Sequence, residues 1–399
     1  MVTQSLMETP LMEITKNQNM VFEVEAFLEE GFKFRRNVIN GKVEMCYKGE
    51  NKWNVLTTEA FNSLVIKALK DGVGGDASPL KVIEQFVRST AIPEFNPIVE
   101  YINSLPEWDG KDYVSSFFRR LPEVDEEMLG FLTIWLFSAV AHWMKMDTMH
   151  GNECVPILIG EQGCGKSTFC NRLLPPELRE YFFDHINFGN KFDFEMALTN
   201  GLFVNLDEFN VMTVSQQTKL KQLLSKVRVN SRPIFGTTTV NRDRYASFVA
   251  TTNERHPLCD PTGSRRFLCI QIPSGELIDN TTPIDYEQLY AQVYHQLTKE
   301  GAKYWFDTEQ ERRIQERNAP FMKTDNLEKM VTNSIHIGKS EEEGNWLSTA
   351  DIITAVHRNY MQVIQNHSYR IKVGQVLKNL GCKTKRSSHG TLYLVELRN

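Results

Sequence analysis

Residues 160–167 read Gly-Glu-Gln-Gly-Cys-Gly-Lys-Ser, which satisfies the pattern G-x-x-x-x-G-K-[ST] at every fixed position. The glycines allow backbone N–H groups to turn toward a chain of phosphates. Lys166 is then placed to reach the β- and γ-phosphates, and the Ser167 hydroxyl to bind Mg²⁺. The stretch therefore predicts a loop that binds ATP. The residues predicted to hold the nucleotide are Gly160, Glu161, Gln162, Gly163, Cys164, Gly165, Lys166, Ser167 and Thr168.

Both flanks of this loop have the character that the pattern requires. Residues 155–159 form a short apolar run typical of a strand, and residues 168–174 can continue as a helix. The N-terminus of such a helix favours anions, because its N–H groups are free and its dipole is positive there. A chance glycine-rich turn would explain the loop but neither flank.

An acidic pair follows the second apolar run of the central region. Residues 202–206 are typical of a strand, and Asp207 and Glu208 come directly after it. Asp207 is suited to hold Mg²⁺, and Glu208 to polarise the water that attacks a phosphate. The alternative is a strand that runs into an acidic turn, which the phosphate-binding pattern upstream makes the weaker interpretation.

A third apolar run, residues 247–252, ends at Asn253, whose amide can bind the attacking water or the γ-phosphate. Capping of a turn by this asparagine is the plain alternative. Farther along, Gly263-Ser-Arg265-Arg266-Phe267 places two arginines before a fourth strand. Arg266, which abuts Phe267, is the first choice for an arginine finger directed at a neighbouring subunit's nucleotide. Arg265 would then be a sensor within its own subunit or part of a structural ion pair.

Four apolar runs alternate with helical patterns in residues 150–275, which predicts an α/β layer built on parallel strands. The apolar segment 131–144 is too short to cross a bilayer and predicts a buried helix. Asn40-Gly41 predicts a hairpin near the N-terminus. The predicted organisation is a flexible stretch 1–20, a small α+β domain 21–90, a helical region 91–149, an ATPase core 150–275, a helical region 276–340 and a basic winged-helix-like domain 341–399.

Charge is distributed unevenly over the 399 residues. The whole chain carries a net charge of −5, whereas residues 345–399 contain eight basic side chains against two acidic ones. This pattern indicates a local site for a polyanion. Two helices and a strand pair in this tail suggest a winged helix with DNA contacts from Lys383, Lys385 and Arg386, although many such domains bind only protein.

The seven cysteines contain no C-x-x-C pair, which argues against a disulfide framework or a zinc knuckle and favours a reducing compartment. The N-terminal residues lack the basic-then-apolar form of a signal peptide. We therefore expect a cytoplasmic protein without a membrane partner.

In this order, the loop 160–167, Asp207-Glu208, Thr251-Thr-Asn253 and Gly263–Phe267 resemble the virulence-associated E family of phages and mobile elements. That family is similar to superfamily 3 helicases within the AAA+ group. The resemblance implies a P-loop AAA+-like core, a ring that is usually a hexamer, and a hairpin that grips DNA in the pore. Family members often carry a primase-like segment, for which this N-terminal region is too short, so a separate primase would be a partner.

The segment 227–245 occupies the position of the pore hairpin that the resemblance implies, and it alternates in the manner of strands. Its candidates for phosphate contact are Arg232, Arg242 and Arg244. A solvated charged hairpin is the alternative.

The leading functional hypothesis is an ATP-dependent DNA helicase or translocase that uses Mg²⁺ and acts in replication of a phage or mobile element. The first alternative is a DNA-binding initiator or regulator that ATP switches without unwinding. The second is a small-molecule phosphotransferase, against which the twin arginines argue.

Overall fold

A computed structural model describes residues 14–146, 151–186, 190–209, 212, 214–231, 238–259, 264–322, 326–338, 344–359, 367–387 and 390–398. The chain divides into two compact units. The first is Met1–Arg255 with Thr262–Asn318, and the second is His256–Pro261 with Ala319–Asn399.

The first unit begins with a small α+β layer whose sheet has the strand order β3-β2-β1-β4. The predicted hairpin is confirmed, because β1 and β2 pair antiparallel around Asn40-Gly41, where Gly41 adopts a φ of +71°. Val24 and Leu28 from the first helix pack on Phe32 and Phe34 from the sheet. The elements of this layer are α1 (Lys16–Gly31), β1 (Phe32–Asn37), β2 (Val43–Tyr47), β3 (Asn54–Val55), α2 (Thr58–Lys70), α3 (Leu80–Arg88) and β4 (Glu94–Phe95).

Three helices, α4 (Pro97–Ser104), α5 (Tyr113–Phe118) and α6 (Glu126–Trp143), lead from this layer to the central sheet. The Asp125 carboxylate accepts the Met128 N–H and so caps α6 at its start. Most of α6 is buried, as predicted, since it contributes apolar side chains all round to the main core. Among the described helices, none combines the length and the apolar character that a membrane crossing requires.

A five-stranded parallel sheet forms the centre of the first unit, in the order β11-β5-β10-β7-β6. The four predicted strands are all present. The fifth, β6, is two residues long and pairs with β7. The elements are β5 (Val155–Ile159), α7 (Lys166–Asn171), β6 (Phe182–Phe183), α8 (Lys191–Asn200), β7 (Phe203–Leu206), α9 (Val214–Leu224), β8 (Arg228–Ser231), β9 (Val240–Asp243), β10 (Ser247–Thr252) and β11 (Phe267–Gln271).

The strand order places three segments together. After β5 the chain runs to β6, the outermost strand, and returns through β7 to β10. Strand β11 is then added on the other side of β5. The loops that follow β5, β7 and β10 therefore lie at one edge, outside the carboxyl ends of adjacent strands. In open α/β sheets, this edge is where ligands bind.

The first part of the predicted helical region 276–340 contains α10 (Tyr286–Thr298) and α11 (Thr308–Arg317). Residues 299–307 between them are not helical, nor are residues 277–285. Each helix starts at its own aspartate, because the side chains of Asp285 and Asp307 accept N–H groups of the first turn. The region is therefore helical only in part.

The second unit packs three helices on a small antiparallel sheet in which β15 pairs with three other strands. The predicted strand pair at 384–396 is confirmed, whereas the winged-helix assignment stays a prediction. Leu327 and Val331 share the core of this unit, so its packing begins before the boundary suggested at 341. Its elements are α12 (Asn326–Ser334), β12 (Ile335–Ile337), β13 (Asn345–Ser348), α13 (Thr349–Asn359), α14 (His367–Asn379), β14 (Thr384–Ser387) and β15 (Gly390–Leu397).

Candidate nucleotide site

The loop between β5 and α7 takes a shape that depends on its glycines. Gly163 has a φ of +85° and Gly165 a φ of +93°, in the left-handed region that side chains disfavour. Helix α7 begins at Lys166 and has only six residues. Backbone N–H groups of the loop, together with the first turn of α7, are thus the donors available to a phosphate chain.

Lys166 connects two of the predicted segments. Its side chain is 8 % exposed, and Nζ donates to the carbonyl oxygens of Gly160 at 2.9 Å and Glu161 at 2.7 Å. It also donates to Oδ1 of Asn253 at 3.0 Å. The loop lysine and the asparagine at the end of β10 therefore share one site.

The acidic pair lies beside them at the end of β7. The Thr251 hydroxyl on β10 donates a short hydrogen bond to Oδ1 of Asp207, which fixes that carboxylate. Glu208 has a φ of +50°, a conformation that is uncommon for a residue with a side chain and often found at functional sites.

A pocket of about 570 Å³ opens where these segments meet. Two of the residues predicted to hold the nucleotide, Glu161 and Cys164, do not line this pocket. The Glu161 carboxylate accepts a hydrogen bond from Ser274, and the Cys164 side chain is buried. Gly160 is also absent from the wall. The lining residues are Gln162, Gly163, Gly165, Lys166, Ser167, Thr168, Asp207, Glu208, Thr252 and Asn253.

The side-chain oxygens at the pocket suit a hard divalent cation that takes only a few of its ligands from the protein. Ser167, Asp207 and Glu208 all line the pocket. Among the described residues, no group of three or more acidic, histidine or cysteine side chains could hold a metal ion alone. Mg²⁺ is usually bound in this way, through one or two protein oxygens and the phosphates of a nucleotide.

The two arginines lie at the opposite edge of the sheet. They precede β11, and the parallel register pairs Phe267 with Val155 at the amino end and Gln271 with Ile159 at the carboxyl end. Five strand residues separate the two edges by about 15 Å. Neither arginine therefore reaches the pocket of its own copy, so the interpretation of Arg265 as a sensor within the subunit is wrong.

Each arginine instead has a carboxylate close by. Nη1 of Arg265 is 2.7 Å from Oε2 of Glu311, which is the structural ion pair given as its alternative. Nη2 of Arg266 is 3.6 Å from Oε2 of Glu153, and its buried Nε has no hydrogen-bond partner among the described residues. Arg266 is the less firmly held of the two.

In the segment predicted to form a pore hairpin, β8 and β9 pair antiparallel, and the position of these strands in a pore stays a prediction. Arg244, however, is 1 % exposed and donates to five backbone carbonyl groups, among them those of Leu224 and Asn152. Burial lowers the pKa of its guanidinium to about 10. The prediction that Arg244 contacts DNA is wrong, because the side chain is enclosed in the fold.

Arg242 also points into the protein. Its Nη2 donates to the carbonyl of Ile39 and to Oδ1 of Asn200, both at 3.0 Å, and burial lowers its pKa. This side chain joins β9 to the N-terminal hairpin and is not directed at a polyanion, which corrects its assignment. Arg232 lies outside the described residues.

In the second unit, strand β14 is exposed along its whole length. It carries Lys385 and Arg386, and Lys383 is exposed immediately before it. Nζ of Lys385 lies 5.7 Å from the centroid of the Trp346 ring. The three predicted cations are thus on the surface, and their contact with DNA stays a prediction.

Two contributors to the site are not apparent from the sequence. Thr251 orients Asp207 only because β10 lies next to β7, and the pairing of strands cannot be read from a single chain. The segment after β11 lies against the phosphate loop, where Ile278 N–H donates to the carbonyl of Cys164 at 3.0 Å. No local pattern marks that segment.

The family model described as the virulence-associated protein E-like domain matches residues 102–323, more than half of the chain. This chain belongs to the virulence-associated protein E-like family. The resemblance to that family is thereby confirmed, and the matched region includes the phosphate loop, the acidic pair, Asn253 and both arginines. The relation to superfamily 3 helicases stays a prediction.

Similar solved structures include three of the C-terminal region of NrS-1, each described as an apo structure. The first is 12 % identical, with a TM-score of 0.48 over 96 % of this chain and 100 % of that chain. Two A-form structures are also 12 % identical, with TM-scores of 0.47, and cover 96 % and 95 % of this chain and all of theirs. A comparison of this chain with curated proteins found no significant match.

Proposed function

We propose that this protein is an ATP-dependent DNA helicase or translocase of the superfamily 3-like type, which acts as a ring, most simply a hexamer, in replication of a phage or mobile element. One observation carries the proposal: the phosphate loop, Asp207-Glu208 and Asn253 come from three separate strands and line a single pocket. A chance glycine-rich turn would not bring them together.

The residues divide the work of ATP hydrolysis between them. Lys166 and the loop N–H groups bind the phosphate chain, and the carboxylate of Glu208 orients the attacking water and takes its proton. The amide of Asn253 donates to the γ-phosphate or to that water. Ser167 and Asp207 would hold Mg²⁺, whose charge offsets that of the phosphates.

A neighbouring copy supplies the remaining group in this proposal. Arg266 lies at the edge of the sheet remote from its own pocket, so it serves only a nucleotide held by another copy. Contact between two different edges of the sheet is heterologous and generates a ring when the rotation closes. The guanidinium then stabilises charge on the γ-phosphoryl oxygens.

DNA would be contacted at two places in this ring. Within the pore, Arg232 would track phosphates, since Arg242 and Arg244 are used within the fold. The exposed cations of β14 would form a second contact with DNA. Primers would come from a separate primase.

The test is ATP hydrolysis by the purified protein, with and without single-stranded DNA, followed by displacement of a labelled strand from a forked duplex. We expect single-stranded DNA to stimulate hydrolysis and ATP to drive displacement. The Lys166→Ala protein is the control. Hydrolysis that DNA does not stimulate, without displacement, would contradict the proposal.

The exposed basic strand β14 also favours the alternative of an ATP-switched initiator that binds duplex DNA without unwinding it. A protein of this kind would protect a defined duplex site from nuclease, and the Lys385→Glu, Arg386→Glu variant would lose that protection. Footprinting together with the displacement assay separates the two functions.

A further inference from the structure

The segment 272–283, which follows β11 and which we name the strap, lies along the outside of the phosphate loop. Its hydrogen bonds reach three residues of the loop in sequence order. The Ser274 hydroxyl donates to the Glu161 carboxylate, and the Ile278 N–H donates to the carbonyl of Cys164 at 3.0 Å. Nδ2 of Asn280 donates to the carbonyl of Gly165 at 2.9 Å.

The strap is itself fixed to the body of the first unit. Nη1 of Arg120 donates to the carbonyl of Thr282 at 2.8 Å, and Nη2 of Arg172 donates to the same oxygen at 3.0 Å. The Asp279 carboxylate accepts the N–H groups of Thr281 and Thr282 and so shapes the turn. The strap is therefore hydrogen-bonded both to the phosphate loop and to the body of the first unit.

Holding these two carbonyl groups determines where the next N–H groups point. The carbonyl of Cys164 and the N–H of Gly165 belong to one peptide plane, and the carbonyl of Gly165 and the N–H of Lys166 to the next. In a trans peptide, the C=O and N–H bonds point in opposite directions. The strap holds the carbonyl side of both planes, so it directs the N–H groups of Gly165 and Lys166 away from itself, and both residues line the pocket.

Asn280 and Gly165 also match sterically. A Cβ at position 165 would lie 2.4 Å from Nδ2 of Asn280, so the amide occupies space that only a glycine leaves free. Oδ1 of Asn280 is buried and has no partner among the described residues. An unpaired buried acceptor is destabilising, so a contribution to stability alone does not account for this side chain.

We propose that Asn280 is a positioning residue for the phosphate loop, which holds the Gly165–Lys166 peptide in the orientation that binds a nucleotide's phosphates. This inference rests on the proposed function, because it takes the loop to be a triphosphate site. The bond from the Phe169 N–H to the same carbonyl belongs to α7 and survives loss of the asparagine.

The experiment uses the full chain with a fluorescent ATP analogue for the dissociation constant and ATP hydrolysis for KM and kcat. In Asn280→Ala, we expect the dissociation constant and KM to rise about tenfold, which corresponds to one lost hydrogen bond, while kcat changes less than about twofold. Asn280→Asp keeps the shape but turns a carboxylate oxygen toward the Gly165 carbonyl, so we expect a larger loss. The Asn280→Asp variant also tests the inference if the Asn280→Ala variant does not fold.

Leu277→Ala is the matched control, because this strap side chain is 71 % exposed, and we expect it to bind the analogue as the wild type does. If both Asn280 variants bound the analogue as the wild type does, the inference about Asn280 would be overturned, while the proposed function would stand. Binding losses that only track a lower melting temperature would also overturn it. If the wild-type protein did not bind the analogue, the proposed function would fail together with it.

Discussion

In the proposed function, binding of a phosphate chain depends most directly on Lys166. We expect Lys166→Ala to lower ATP turnover at least about 100-fold, because a buried charged donor at the phosphates is lost. Phosphate release measures the effect, and the thermal unfolding transition checks that the fold survives. Lys299→Ala, at an exposed position, is the control. A variant that retained most of its turnover would contradict the assignment.

Arg244 has the opposite role, since its guanidinium holds the fold and not a ligand. We expect Arg244→Met to lower the free energy of unfolding by about 3–5 kcal/mol, because five buried carbonyl groups lose their donor. Denaturant titration measures it.

Arg228→Met is the matched control for that variant. This arginine lies on the same hairpin, is 54 % exposed and pairs with Asp243, so its loss should change stability by no more than about 1 kcal/mol. An Arg244→Met protein of wild-type stability with weakened DNA binding would restore the original prediction.

The contrast between Lys166 and Arg244 shows what a residue's neighbours in sequence reveal. Lys166 is part of a motif in which glycines, lysine and serine are all close in the chain, so their joint role follows from spacing. Arg244 lies in a segment rich in charge, and its partners include Asn152, far away in the chain. Burial of that kind leaves no local signal.

At the scale of elements, the exposed strand β14 offers the clearest test of DNA binding. We expect Lys385→Glu with Arg386→Glu to weaken binding more than about tenfold and to reduce the slope of log affinity against log salt by about two, since each phosphate contact contributes nearly one. Fluorescence anisotropy with single-stranded and duplex DNA measures both.

Lys81→Glu, on the exposed side of α3, is the control for this double variant. Equal affinity of the double variant and the wild type would remove β14 from the DNA-binding surface. A loss on duplex DNA but not on single strands would favour the initiator function.

The strands of the parallel sheet were predictable because each is a continuous apolar run, as strands buried on both faces are. Strand β6 was not, because two residues carry no period and Phe182 is recognisable as a strand residue only by its pairing with Phe203. The loops around α10 were missed for a related reason. Long side chains suit a helix, but the capping aspartates mark where it begins.

For the whole molecule, the proposed ring requires cooperation between copies, because Arg266 lies at the end of the strands remote from its own pocket. We expect Arg266→Ala protein and Glu208→Gln protein to be nearly inactive alone and to recover about a quarter of wild-type ATP turnover when mixed equally. In the mixture, some sites combine an intact Glu208 with a neighbour's intact Arg266. Light scattering with a non-hydrolysable ATP analogue measures the assembly.

Two results would contradict a shared site. One is a wild-type protein that hydrolyses ATP at its full rate as a single copy. The other is an Arg266→Ala protein that hydrolyses ATP at the wild-type rate, since the role of Arg266 would then be its ion pair with Glu153 and not hydrolysis.

The sequence by itself determined the phosphate loop, the parallel α/β core and the polar residues at the strand ends, because these depend on spacing and apolar runs within short stretches. Only the tertiary structure decided which strands are adjacent, and hence that Lys166, Asp207 and Asn253 share one pocket. It also decided that Arg244 is buried, that the twin arginines lie at the other end of the strands from their own pocket, and that Asn280 donates a hydrogen bond to the carbonyl of Gly165. These facts follow from contacts between residues distant in the chain, which packing alone brings together.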